Sequence, residues 1–155
     1  MIAVLEGGGF AEYVNVSREN VAPKPARLSF KEAAGIPTAS LAAWRTLIVN
    51  ADIKQGQRVL IHGGAGGVGS TAVQLAHWRG AHVITTASER NHEYLQSIGA
   101  DEVIDYRTTR FEDVVKNVDV VLDTVGGDTL QRSPAVLREG GTLLTLVGRP
   151  PAQAC

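Results

Sequence analysis

Glycines at a fixed spacing are the residues of this chain with the clearest chemical use. Gly64, Gly66 and Gly69 fit the pattern G-x-G-x-x-G between an apolar strand and a segment of helical periodicity, the context in which the pattern binds a dinucleotide. The first glycine is expected to permit a tight turn, the second to let the backbone approach a pyrophosphate, and the third to let the helix pack closely on the strand. The helix start, with Gly67 and Val68, would then present free N–H groups to the phosphates.

The tip of the next predicted strand indicates which dinucleotide would bind. NAD sites usually place an acidic side chain there, about 20 residues beyond the glycine motif, to bind the ribose 2′-hydroxyl. Here residues 85–88 are uncharged, and Arg90 follows. Ser88 and Arg90 can donate to a 2′-phosphate, and a hydrogen bond involving a charged group contributes about 1.5–3 kcal/mol. The pattern predicts NADP(H), provided that the carboxylate of Glu89 points away.

Each of these residues also has an ordinary structural interpretation. Arg90 is equally a solvated arginine at a helix start, and Ser88 is equally the N-cap of the helix that begins at Glu89. Tyr106 ends the third strand, where it would lie near the adenosine or simply cover the sheet. His62 in its buried strand is interpreted as a hydrogen-bonded core residue. No Ser/His/Asp set and no close carboxylate pair stands out, so the catalytic residues stay unassigned.

The elements that must position these residues alternate between strand and helix. Nearly continuous apolar runs suit parallel strands that are covered on both faces, and their alternation with helices predicts an α/β fold, a Rossmann-type doubly wound parallel sheet. The predicted strands are 59–61, 81–86, 102–105, 119–123 and 142–147. The predicted helices after the glycine motif are 89–98, 111–116 and 130–137, with the motif's own helix before them.

The first part of the chain predicts a different arrangement. Alternation over Phe10–Val16 is typical of a half-buried strand. Ser29 and Glu32 form a capping box that opens a short helix, and Pro37 is expected to end it. A second helix is predicted from Thr38 to Val49, with its apolar face on Leu41, Trp44 and Ile48.

Composition narrows the class of protein. The chain has 155 residues, a formal net charge of −1 and a single cysteine, Cys155. The near-neutral charge and the lack of a basic stripe argue against a nucleic-acid partner, and no apolar run approaches the roughly 20 residues that a membrane span needs. One cysteine excludes an internal disulfide. A cytoplasmic protein with no membrane partner is expected.

Several motifs occur in the order typical of one family. They are residues 9–14, 32–37, 64–69, 95–101 and 118–126. With these motifs the chain resembles the medium-chain dehydrogenases/reductases from Gly8 to Pro151, and most closely their zinc-independent branch, similar to quinone oxidoreductases and enoyl reductases. The resemblance implies NADPH-dependent hydride transfer to a quinone or an activated C=C.

The resemblance also implies roles for individual residues. Ser88, Arg90 and Tyr106 would lie near the phosphate end of the adenosine, and Thr124, Val147 and Gly148 would line the nicotinamide side. Ala42 departs from the family pattern, which usually has threonine there, near the nicotinamide. Zinc ligands cannot be placed on any residue, so zinc is not predicted.

Family members are longer than this chain, which leads to two expectations about its organisation. Residues 1–50 would be the remnant of a barrel-like (GroES-like) catalytic domain with a linking helix, and residues 51–155 an NADP-binding Rossmann domain that stops before a sixth strand. The chain is expected to act on a small-molecule electron acceptor, with a homo-oligomer or a complementing chain as partner. The alternative is a truncated nucleotide-binding module without independent catalytic activity.

Overall fold

The computed structural model describes residues 1–5 and 7–149. Near its start, β1 (Ile2–Ala3) and β2 (Val21–Ala22) pair antiparallel. The predicted strand at Phe10–Val16 is wrong, since this segment is irregular and the side chains of Phe10 and Tyr13 are exposed. No described strand lies beside it to complete its backbone hydrogen bonds, and a strand without a partner is not stable in water.

The first helices show where local signals succeed and fail. The capping box that opens α1 (Phe30–Ala34) is confirmed, since the backbone N–H of Ser29 donates to the Glu32 carboxylate at 2.8 Å and the Ser29 hydroxyl accepts from the Glu32 N–H at 3.2 Å. Pro37 does not end this helix. It lies in the first turn of α2 (Ile36–Ala43), where a missing N–H leaves no helical hydrogen bond unmade.

The predicted second helix changes its winding halfway. After α2 the chain continues as a π-helix, Trp44–Asn50, in which the Thr46 hydroxyl donates to two carbonyls one turn back at 2.6 and 3.1 Å. Leu47 is fully buried, whereas Leu41 and Trp44 of the predicted apolar face are exposed.

A sheet of five parallel strands forms the centre of the molecule. Its strands are β3 (Arg58–His62), β4 (His82–Ala87), β5 (Glu102–Asp105), β6 (Val118–Asp123) and β7 (Leu137–Thr145). They lie in the order β5-β4-β3-β6-β7. The first strand of the sheet, β3, is therefore central; β4 and β5 follow on one side of it, and β6 and β7 on the other. The predicted Rossmann-type sheet is confirmed.

Helices cover both faces of this sheet. They are α3 (Gly67–Trp78), α4 (His92–Ser97), α5 (Phe111–Val114) and α6 (Gly127–Arg132). Val59 and Ile61 of β3 pack towards α3 and α4, whereas Leu60 packs on the opposite face, with Phe111 of α5. Successive residues of one strand therefore enter two separate cores, as the near-continuous apolar runs predicted.

The last part of the sheet differs from the prediction. The expected crossover helix 130–137 is α6 followed by a short 3₁₀ helix, Ser133–Val136, and β7 starts at Leu137. The β6–β7 register shifts between Val118 and Val120, so an irregular start joins β7 to the sheet. Residues 150–155, and with them Cys155 and Pro151, lie outside the described residues.

The N-terminal helices contact the sheet domain directly, because α2 packs against α3. The division of the chain into 1–50 and 51–155 stays a prediction. Within residues 1–5 and 7–149, none of the helices combines the length and apolarity that crossing a membrane requires.

Candidate functional site

A cleft of about 500 Å³ opens at the carboxyl ends of the central strands. Ligands of open α/β sheets bind at this edge, at the point where the strand order reverses direction. The cleft is lined by Gly63, Ala65, Gly66, Thr86, Ala87, Ser88, Arg90, Asn91, Tyr106, Val125, Thr129 and Arg132. Of the predicted site residues, Gly66, Ser88, Arg90 and Tyr106 are in this lining, and the turn and the helix start next to them contain Gly64, Gly67, Val68 and Gly69.

Glycine is required for a different steric reason at each position of the motif. The positive φ of the turn, +77°, occurs at Gly63, the residue before the motif, and not at Gly64. A methyl group on Gly64 would overlap the hydroxyl of Thr85, and one on Gly69 would overlap the carbonyl oxygen of Gly63. Gly64 therefore allows the turn to lie against β4, and Gly69 allows α3 to lie on the turn.

The start of α3 faces the cleft with an uncapped end. Gly66 is the N-cap residue and makes no side-chain capping bond. A methyl group there would meet only the Gly63 carbonyl oxygen, at 3.3 Å, so the cleft side of Gly66 is open. The first four N–H groups of a helix have no intrahelical acceptor, and this start includes Gly67 and Val68. The arrangement provides donors for an anionic ligand, helped by the helix dipole.

Threonines at neighbouring strand ends hold the glycine turn. The backbone N–H of Gly64 donates to the Thr86 carbonyl at 3.1 Å, and that of Gly63 donates to the Thr86 hydroxyl at 3.3 Å. On the other side, the Thr124 hydroxyl donates to the carbonyl oxygen of His62 at 2.7 Å. The turn is thus fixed by hydrogen bonds from both adjacent strands.

The tip of β4 carries the polar groups expected to select the dinucleotide. Ser88 is buried and makes no capping bond, and its hydroxyl instead accepts from the side-chain amide of Asn91 at 3.0 Å. Arg90 is exposed on the cleft wall, and no ion pair of the described residues includes it. Glu89 lines a separate hollow with His92 and does not line the cleft. The expectation that the carboxylate of Glu89 points away from the cofactor stays a prediction.

Tyr106 and the α6 region form the opposite wall. The Tyr106 ring is 61% exposed, with the Arg107 guanidinium 5.9 Å from its centroid. Sequence reasoning missed Val125, Thr129 and Arg132 on this wall. Their position in the segment that follows the carboxyl end of β6 is the one sequence feature that could have indicated these residues.

Arg132 is anchored by a carboxylate beneath the wall. Its guanidinium donates to both carboxylate oxygens of Glu112, at 2.7 and 2.8 Å, and lies 5.0 Å from the Phe111 ring centroid. Burial alone would raise the pKa of Glu112. Hydrogen bonds from Arg132, from the backbone and from Arg110 outweigh it and lower this pKa to about 2. Glu112 therefore holds the guanidinium of Arg132 in place while it shares its single negative charge with Arg110.

The residues expected near the nicotinamide lie outside this lining. Thr124 follows β6 behind the glycine turn, and Val147 and Gly148 follow β7. The buried Asp123 accepts from the backbone N–H groups of Val125 and Gly126, both at 2.9 Å, so its carboxylate caps the turn after β6. The nicotinamide roles of Thr124, Val147 and Gly148 stay predictions.

No group of three or more His, Cys, Asp or Glu side chains in the described part of the chain is placed to hold a metal ion. Independence from zinc stays a prediction.

Comparison with known proteins agrees with this fold. The family model for zinc-binding dehydrogenases matches residues 67–154. The chain is 44% identical to 2-methylene-furan-3-one reductase of Solanum lycopersicum over 143 residues, 91% of this chain and 36% of that protein. It is 40% identical to a chloroplastic NADPH-dependent alkenal/one oxidoreductase of Arabidopsis thaliana, again over 91% of this chain and 36% of that protein.

Solved structures give the same result. The quinone oxidoreductase of Thermus thermophilus, determined also in complex with NADPH, is similar with a TM-score of 0.83 and 31% identity over 97% of this chain and 51% of that one. The quinone oxidoreductase of Coxiella burnetii gives a TM-score of 0.78 and 37% identity over 89% and 50%. The chain belongs to the zinc-binding dehydrogenase family, within the medium-chain dehydrogenases/reductases. It spans about a third of the length of the curated relatives, 36% in both reductases above.

Gly69→Ala tests the contact between the helix start and the glycine turn. The added methyl group would overlap the Gly63 carbonyl oxygen, a backbone atom that cannot rotate away. We expect the free energy of unfolding to fall by about 1–3 kcal/mol, the usual range for overpacking. The matched control is Gly67→Ala, whose methyl group would lie 3.8 Å from Ala39, an ordinary contact. Urea denaturation measures both, and equal stabilities would contradict the steric role of Gly69.

Glu112→Gln tests the carboxylate that anchors Arg132. We expect a loss of about 1.5–3 kcal/mol in the free energy of unfolding at pH 7, the range for hydrogen bonds involving charged groups. The folded state holds the pKa of Glu112 near 2, below its ordinary value of 4.5, so the contribution is complete above about pH 4.5 and is lost as the pH falls towards 2. The difference from wild type should shrink over that window. The exposed Glu139 serves as control, because Glu139→Gln should leave the pH profile unchanged.

Proposed function

We propose that the cleft binds NADP(H) and that the protein is an oxidoreductase transferring hydride to a quinone or an activated C=C. The observation that carries the choice of cofactor is the tip of β4. There the lining consists of Ser88, Arg90 and Asn91 with no carboxylate, while Glu89 lies on another surface. A carboxylate would repel a 2′-phosphate, whereas a hydroxyl, an amide and a guanidinium can donate to it.

The residues present fit the remaining parts of a dinucleotide. The uncapped start of α3 offers backbone N–H groups and a positive dipole end to the pyrophosphate. A side chain at Gly66 would project into the space that the phosphates need, and glycine leaves it free. Tyr106 on the cleft wall presents an aromatic ring suited to the adenosine. These features support a nicotinamide dinucleotide, and the β4 tip supports the phosphorylated form.

The reaction follows from the class of relatives. When bound, the nicotinamide supplies the hydride, and this chain's residues bind and orient the rest of the dinucleotide. Relatives named as quinone, alkenal/one and furanone reductases favour an electron-poor small molecule as the acceptor. We assign no catalytic residue, since the cleft lining holds no carboxylate, histidine or cysteine among the described residues.

Two further expectations belong to this proposal. A homo-oligomer or a complementing chain is expected to complete the site for the acceptor. A cytoplasmic location is expected as well, although two of the relatives carry mitochondrial and chloroplastic names.

Arg90→Ala tests the cofactor preference. One lost hydrogen bond from a charged donor should weaken NADPH binding by roughly tenfold to a hundredfold. NADH lacks the 2′-phosphate, so its affinity should stay unchanged. Titration of both cofactors, followed by nucleotide fluorescence, gives the ratio of dissociation constants. Arg27→Ala is the control, because it removes the same charge from an exposed position outside the cleft lining.

The relative affinity of the wild-type protein for NADPH and NADH tests the assignment of the cofactor directly. Tighter binding of NADPH than of NADH supports the proposal, and the opposite order would overturn the assignment of NADP(H). A screen of quinones and enones with NADPH then tests the reaction class.

A further inference from the structure

His62 combines complete burial with an unsatisfied polar atom. It is the last residue of β3, is 0% exposed, and packs edge-on against the Phe111 ring at 4.5 Å between centroids. Its Nδ1 lies 3.2 Å from the Thr86 hydroxyl, whereas Nε2 is buried without a hydrogen-bond partner among the described residues. A buried polar atom without a partner is costly, so an apolar residue would be expected here if His62 only filled space.

The Thr86 hydroxyl links this ring to the glycine turn. It accepts from the backbone N–H of Gly63 at 3.3 Å, and the Thr86 carbonyl accepts from that of Gly64 at 3.1 Å. His62 and Thr86 are direct neighbours across the β3–β4 pair. The ring is therefore one side chain away from the backbone that would approach the phosphates.

The surroundings assign the protonation of the ring. Burial, together with the positive charge of Arg132, lowers the pKa of His62 to about 4, while Glu112 acts in the opposite direction. The ring is therefore neutral at pH 7 and carries one proton. Because the Thr86 hydroxyl oxygen already accepts from Gly63, its own proton is available for Nδ1. If the hydroxyl donates to Nδ1, the ring proton lies on Nε2; in the other tautomer Nδ1 donates to the second lone pair of the same oxygen, so both tautomers form this hydrogen bond.

His62 also lines a small hollow of about 80 Å³ next to the cleft. Thr86, Tyr106, Thr129 and Arg132 line both the hollow and the cleft. The buried ring is therefore close to the cleft although it is not part of the cleft lining.

We propose that His62 is a positioning residue for the dinucleotide: its Nδ1 orients the Thr86 hydroxyl, which in turn holds Gly63 in the turn that receives the phosphates. The inference rests on the proposed binding of a nicotinamide dinucleotide in the cleft. It goes beyond that function, because His62 itself lies behind the cleft and is not in its lining.

Isosteric variants separate this role from simple packing. An asparagine amide reaches the place of Nδ1, whereas a glutamine amide reaches the place of Nε2. We expect His62→Asn to bind NADPH as the wild type does, and His62→Gln and His62→Phe to bind it roughly threefold to tenfold more weakly, as one lost hydrogen bond requires. Leu60→Val is the control, because Leu60 is buried on the same strand face but has no hydrogen-bonding side chain.

Hydrogen exchange of the cofactor-free protein gives a readout that does not depend on binding. The amides of Gly63 and Gly64 should exchange faster in His62→Gln and His62→Phe, relative to the amide of Ile61, and should be unchanged in His62→Asn and Leu60→Val. If His62→Asn behaved like His62→Phe in exchange, the positioning role would be wrong. If the wild type bound no nicotinamide nucleotide but showed this exchange pattern, the proposed function would fail and the hydrogen-bond chain would stand.

Discussion

The close approach of α3 to the glycine turn is the constraint that fixes the geometry of the whole site. Gly69 has no room for a methyl group because the Gly63 carbonyl oxygen occupies that space, and Gly64 has none because of the Thr85 hydroxyl. These contacts bring the first turn of the helix directly over the end of β3. The direction of α3 follows from them, and its free N–H groups then face the cleft. A looser packing would keep the helix and lose the anion-binding geometry.

Electrostatics make the two arginines of the cleft unequal. Arg132 gives two hydrogen bonds to Glu112, so its guanidinium is held in place by a carboxylate of the protein. Arg90 takes part in no ion pair of the described residues. An anionic group entering the cleft would therefore meet Arg90 as the available cation, whereas Arg132 shapes the wall. Under the proposed function, this one exposed side chain would distinguish two cofactors that differ by a single phosphate.

The doubly wound sheet explains how polar residues can sit in buried strands. Each strand sends alternate residues into two cores, and at the carboxyl ends the cores give way to the cleft. His62, Thr86 and Asp123 are buried at these ends, and each makes a hydrogen bond to a neighbouring loop or side chain. Polar groups at strand ends thus fix the loops that a ligand would contact, while the apolar residues below them provide the rigid support.

The features that could be predicted from the amino-acid sequence are those with a local pattern. The capping box at Ser29 forms between residues close in the chain, and the glycine spacing and the apolar runs are patterns within short segments, although the strands themselves pair with distant ones. The irregular course of Phe10–Val16 and the place of Arg132 in the cleft lining emerged only from the folded molecule. A strand needs a partner, and the position of Arg132 depends on Glu112, 20 residues away. Contacts between distant residues have no local signature, so they become visible only when the chain is folded.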